Sequence, residues 1–155
     1  MGEKAAERCF NMEVSEYYFR LTTESVRLHS NRTSRHVSFG DVVNSRADCA
    51  TSLPDRYESE DMKEHLRIIP SGGDKALQFC ILETSAASID DAIPELEKAL
   101  GTSVKFADAL SLVLYDLVVE ANATEVLTKL GLTSEEAESY KVCLKRPKTN
   151  IIPFK

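Results

Sequence analysis

Residues 76–119 read ALQFCILETSAASIDDAIPELEKALGTSVKFADALSLVLYDLVV, and the change of period inside this stretch decides the fold class. Residues 76–83, ALQFCILE, are rich in side chains that suit a buried strand. Ser88 is placed to cap a helix over 89–100, with Asp90 and Asp91 in the first turn, where carboxylates complement the helix dipole, and Gly101 just past its end. Pro94 has no N–H and crowds the preceding turn, so it implies a kink, or a helix that starts properly only near Ile93. Ser103 is placed to cap a second helix, in which Val104, Ala107, Leu110, Leu114, Leu117 and Val118 recur at spacings of three and four. This is the helix expected to be buried most deeply.

Downstream, 125–130 form a short apolar piece that ends at Gly131. Thr133-Ser134-Glu135-Glu136 then opens a third helix containing Ala137, Tyr140, Val142 and Leu144, and Pro147 stops it. Residues 150–154, NIIPF, read as a final strand in which Pro153 favours an edge position. The predicted order is β-α-α-β-α-β, a small α+β domain over 75–155. Upstream, Ser71-Gly72-Gly73-Asp74 is a turn. Residues 12–28 place Val14, Tyr17, Tyr18, Leu21, Ser25 and Leu28 at helical spacing and predict an amphipathic helix. Between 30 and 73 the periodicity fades, Pro54 and Pro70 interrupt, and an acidic run follows from Glu58 to Glu64. This segment reads as a linker or extended arm, with short strands possible at 37–43 and 66–69. The expected organisation is an N-terminal helix and arm over 1–74, followed by the α+β domain.

The 155 residues are 43% apolar and 28% charged, enough for one core and an extension but not for two full domains. A net charge of −6 excludes a general attraction to phosphate backbones or anionic lipid, so RNA is not favoured as a partner. The longest apolar stretch, 110–119, is broken by Ser111, Tyr115 and Asp116 and falls short of the roughly 20 residues needed to span a bilayer. The start, MGEKAAER, has neither a hydrophobic signal core nor the acid-poor, Arg-rich character of a transit peptide. Cys9, Cys49, Cys80 and Cys143 show no close pairing and are expected to be four reduced thiols in a reducing compartment.

Three segments carry a resemblance to a known family. Leu100-Gly101-Thr102-Ser103-Val104-Lys105-Phe106-Ala107 is similar to a glycine-rich helix junction followed by an apolar-Lys-x-Ala helix start. Gly131-Leu132-Thr133-Ser134-Glu135-Glu136-Ala137-Glu138 is similar to a Gly-apolar-polar-x-acid-acid-Ala-acid helix start. The finish over 145–155 has a helix end, a turn and a last strand. In that order they resemble the C-terminal domain of the bacterial ribosomal stalk protein, the acidic multi-copy protein that recruits translation GTPases. The resemblance covers about 75–155 and implies that family's fold. It also implies a factor-binding face on the first two helices, but here 88–98 read SIDDAIPELEK, with Lys98 as the only base. The second helix is also longer than the family's by about two turns, and needs cover from the N-terminal segment or a neighbouring subunit. The substrate adaptor of the bacterial Clp protease shares the fold. Where that family has an Asn-Asp-Asp type sequence after its first strand, this chain has Thr84-Ser85-Ala86-Ala87, so it ranks lower.

No pattern points to catalysis. His29, His36 and His65 match no zinc spacing with Cys49 and read as solvated loop histidines. The Ser71-Gly72-Gly73-Asp74 turn lacks the Lys-Ser/Thr ending of a phosphate loop. Glu58, Glu60, Asp61 and Glu64 could hold a divalent ion but read better as a solvated acidic face. Arg27, Arg32, Arg35 and Arg46 form a locally basic stretch. The expectation is therefore a non-catalytic structural or adaptor subunit with no metal and no cofactor. It would bind other protein subunits of a large, organellar assembly, such as a mitochondrial ribosome or respiratory-chain complex, with a cytoplasmic location as the alternative. The candidate partner-binding residues are Lys98, Lys105, Leu114, Leu117, Val118, Tyr17 and Tyr18. The rival expectations are a stalk protein that recruits translation GTPases, and a small enzyme using the acidic cluster.

Overall fold

The computed structural model of the protein describes residues 6–130 and Glu135, with the backbone alone over 122–130. A strand β1 (Glu7–Val14) leads into α1 (Glu16–Thr33). Then come α2 (Phe39–Arg46), a 3-10 turn (Ala47–Ser52), α3 (Leu53–Arg56) and α4 (Ser59–Ile68), followed by β2 (Lys75–Leu82), α5 (Glu83–Leu100) and α6 (Phe106–Leu130). The fold is α+β, with the helices of the described residues around a two-stranded antiparallel sheet. Its register pairs Phe10 with Phe79 and Met12 with Leu77. Phe10, Met12 and Val14 therefore share one face with Leu77, Phe79 and Ile81, as the twofold alternation of strand side chains requires. That face enters the core, where Phe10 stacks between Phe79 and Phe106 at centroid distances of 5.1 and 4.5 Å.

The expected β2-α5-α6 succession is present, with shifted ends. α5 starts directly after β2 at Glu83, so Ser88 lies inside the helix and caps nothing. Pro94 is accommodated on the exposed side of α5 without ending it, and Gly101 adopts the left-handed φ of 73° and closes the helix through its N–H to the Glu97 carbonyl. α6 starts at Phe106 rather than at Ser103, and the Asp108 carboxylate accepts from the Lys105 N–H. Residues 125–130, expected as a strand, continue α6. The expected third helix and final strand lie outside the described residues, apart from Glu135.

The extended arm expected over 30–73 is instead folded. Ser38 and Asp41 form a reciprocal capping box at the start of α2. Pro54 sits in the first turn of α3, where its missing N–H costs no hydrogen bond. The short strands expected at 37–43 and 66–69 are replaced by α2 and by the end of α4. Val42, Val43, Ala47, Ala50, Leu53 and Met62 are buried. The 3-10 turn packs closely on α5, where Ala47 and Ala50 meet a helix bearing Ala86 and Ala92, small enough for close approach. The sheet joins β1 to β2 across the expected boundary at 74, and one core cluster draws on both halves. The cover needed by α6 comes from the chain itself, since Leu114 and Leu117 pack with Val42, Leu21, Val26 and Val37 of the N-terminal half.

Candidate partner-binding groove

α1 lies on the surface as a ridge between two shallow grooves. It begins where Ser15 accepts from the Tyr18 N–H and ends at Ser34, in the left-handed region at φ 58°. Its first turn sends adjacent tyrosines in different directions, because consecutive helical residues are about 100° apart. Tyr18 is buried and donates its hydroxyl to the Ala107 carbonyl at 2.6 Å, fixing α1 on α6. Tyr17 is 62% exposed. It lines a groove of about 380 Å³ with Leu21 and Leu28 of α1, Ile68 and Ile69 at the end of α4, and Val118 of α6. Ile68 is 49% exposed, so two large apolar side chains stand in water above an apolar floor. Arg20 and Glu24 supply a rim of mixed charge. On the other flank of α1, Phe19, Val26, Phe39 and Leu77 line a groove of about 550 Å³.

Of the residues singled out from sequence, Tyr17 and Val118 meet in this groove. Tyr18, Leu114 and Leu117 are buried within the chain. Lys98 and Lys105 are exposed near the α5–α6 junction, away from either groove. Sequence reasoning missed Ile68 and Phe19. The signal for Ile68 was an apolar pair, Ile68-Ile69, just before Pro70, which was assigned to a strand.

Several polar residues that could carry chemistry lie inside, most of their hydrogen bonds made, with His29 Nδ1 and Arg46 Nε left without a partner. Asp116 is fully buried in α6. It accepts from Arg46 and Arg56, each at 2.5 Å, and from the Tyr57 hydroxyl at 2.5 Å. Burial works to raise its pKa, but the bonds from Tyr57 and Arg46 and the two guanidinium charges outweigh it and hold the carboxyl below its usual value. Arg46 also pairs with Glu120, which Arg32 approaches at 3.7 Å. The basic stretch seen in the sequence is thus partly an internal ion network, and its Arg46 is buried. His65 and His29, expected in solvent, are buried. His65 Nε2 lies 2.8 Å from the Ser111 hydroxyl. Burial pushes the imidazole down to about 4, with hydrogen bonding at Ser111 opposing the shift. Ser111 is closed off from solvent, so its hydroxyl cannot attack a substrate and the pair serves as a core hydrogen bond.

The acidic run lies on and just before the first turns of α4, where Glu60 and Glu64 face Lys63 and Arg67. Among the described residues no group of three or more His, Cys, Asp or Glu side chains is placed to hold a metal ion. No helix of the described residues is long and apolar enough to cross a membrane. The expectation of four reduced thiols is corrected at two positions: Cys9 and Cys80 form a disulfide, while Cys49 is a free, half-buried thiol. Cys143 lies outside the described residues. Comparison with known proteins adds no relative, since no family model, no curated protein and no solved structure matches this chain.

Proposed function

We propose that this chain is a non-catalytic structural or adaptor subunit that docks onto another protein through the face formed by α1, the end of α4 and α6. The observation that carries the reading is the exposure of Tyr17 and Ile68 over a floor of Leu21, Leu28 and Val118. An aromatic anchor beside an aliphatic one, above an apolar floor and inside a mixed-charge rim, is the composition of a protein interface centre. The groove holds no cluster of unpaired carboxylates, histidines or thiols that would process a substrate. The test is a photo-crosslinking residue at position 17, introduced in the native source and read by mass spectrometry. One partner in constant stoichiometry, lost on Ile68→Asp, supports the reading. Crosslinks spread over unrelated proteins, or unchanged by Ile68→Asp, reject it.

A second reading, capture of a translation GTPase as the stalk-protein resemblance implies, draws on the exposure of Lys98 and Lys105. It is the weaker, because α5 surrounds Lys98 with Asp91, Glu95 and Glu97. Charge reversal at both lysines would weaken factor binding if this reading holds and leave it unchanged if it does not.

A further inference from the structure

The outward face of the sheet carries a covalent feature that neither groove uses. Cys9 and Cys80 lie directly opposite in register and are joined by a disulfide, with their Cα atoms 4.0 Å apart. The backbone bonds show which kind of pair this is. Glu83 N–H donates to the Ala6 carbonyl, so the hydrogen-bonded pairs fall at even-numbered positions of β1. Leu82 N–H turns away from β1 to the Asn44 side chain, and the Cys80 carbonyl turns toward Gly40, where a Cβ would collide with it. Cys9 and Cys80 are therefore a non-hydrogen-bonded pair, the positions at which antiparallel side chains stand closest.

Both cysteines are exposed. Their neighbours on that face are the exposed Asn11 and Gln78 on one side and the exposed Glu7 and half-exposed Leu82 on the other, so a thiolate can approach the sulfurs from solvent. Cys49 is the contrasting case, half-buried, with burial raising its thiol above the ordinary range. Exposed disulfides are the exchangeable ones, because attack needs access as well as a competent thiolate.

We infer that Cys9–Cys80 is a thiol–disulfide exchange site whose co-reactant is a dithiol, and that its state sets how firmly β1 is held. A thiolate of the dithiol attacks one sulfur, the Cys9–Cys80 bond breaks, and a mixed disulfide forms while the displaced cysteine takes a proton. The second thiol then attacks the mixed disulfide, releasing the other cysteine as a thiol. The dithiol leaves as a disulfide, having given up two electrons and two protons to the cysteine pair. After reduction β1 keeps its pairing with β2, the Phe10 stack, and the ion pairs of Arg8 with Glu83 and Asp90 on a half-exposed surface. The burial of α5 and α6 does not use the cross-link, so the loosening is confined to the strand.

The test uses the full chain in native buffer with millimolar dithiothreitol, followed by maleimide labelling and intact mass. Hydrogen exchange of the oxidised and reduced forms is then compared. We expect Cys9 and Cys80 to label without denaturant and ahead of Cys49. The amides of 8–14 should exchange about tenfold faster in the reduced form, with those of α5 beyond its first turn and of the start of α6 unchanged. The double variant Cys9→Ser, Cys80→Ser should match the reduced form and ignore the reductant. Labelling that requires denaturant overturns the inference, as does equal exchange of 8–14 in the two forms of the native chain. If the double variant does not fold, the comparison of the oxidised and reduced native chain still decides.

Discussion

The buried polar residues of α6 and the groove at its Val118 are built on opposite plans. Ser111 and Asp116 are closed from solvent and bonded to His65, Tyr57, Arg46 and Arg56. About two turns beyond Ser111, Val118 lines the groove in which Tyr17 and Ile68 stand exposed. Asp116, Arg46, Arg56, Tyr57, His65 and Ser111 hold α2, α3 and α4 against α6, while Tyr17 and Ile68 stand outside. Polar residues committed to internal bonds serve the fold, and apolar residues left in water favour a protein contact. The difference teaches that the type of a residue says little about its role until its exposure is known.

The largest effect is expected on the polar side. Asp116→Asn leaves Arg46 and Arg56 without their shared counter-charge and should cost about 3–5 kcal/mol of unfolding free energy, read from the urea midpoint. A loss like that of an ordinary surface substitution would mean that the network is dispensable and the contrast wrong.

Next comes the pH dependence of His65. Its folded pKa of about 4 lies below the ordinary 6.5, so the unfolded chain binds the proton first as pH falls. The stability contributed by the neutral buried imidazole is complete above pH 6.5 and is lost progressively toward pH 4. The loss totals about 3 kcal/mol at 1.36 kcal/mol per unit. Urea midpoints measured across that window should fall in the wild type and flatten in His65→Gln.

Tyr57→Phe removes one hydrogen bond to the buried carboxylate and should cost about 2 kcal/mol, again from urea unfolding. The smallest stability effect belongs to the groove, where Tyr17→Ser and Ile68→Ser should each stay within about 0.5 kcal/mol of wild type. Ile68→Ser should also abolish the crosslink from position 17 to the partner. A large stability loss from either would assign those side chains to the fold and leave the groove without its anchors.

The parts of the fold legible in the sequence were those with a long, uniform period. The strand before Glu83, the helix closed by Gly101 and the long apolar helix through Leu117 were all readable, because each has enough turns or alternations to rise above chance. β1 carried an equally regular signal, Phe10, Met12 and Val14 alternating with Cys9, Asn11 and Glu13. It was overlooked because Val14 and Tyr17 also fit a helical spacing. The segment of short helices from Phe39 to Ile68 was opaque for a different reason. Each piece is too short to show a period, and its burial depends on β2, α5 and α6, which lie later in the chain.

The candidate groove divides in the same way. That α1 would be amphipathic, with Tyr17 and Tyr18 near its start, followed from the spacing of Val14, Tyr17, Tyr18, Leu21 and Leu28. Which tyrosine would be exposed did not, because that depends on where α6 lies, and Tyr18 turns to the Ala107 carbonyl. The sequence by itself determined the α+β class and the principal long helices, since these depend on local period and residue type. Tertiary structure alone decided the Cys9–Cys80 pairing across 71 residues, the conversion of the basic stretch into an ion network around Asp116, and the meeting of Tyr17, Ile68 and Val118. Each of these joins residues distant in the chain, whose proximity is set by packing rather than by local conformational preference.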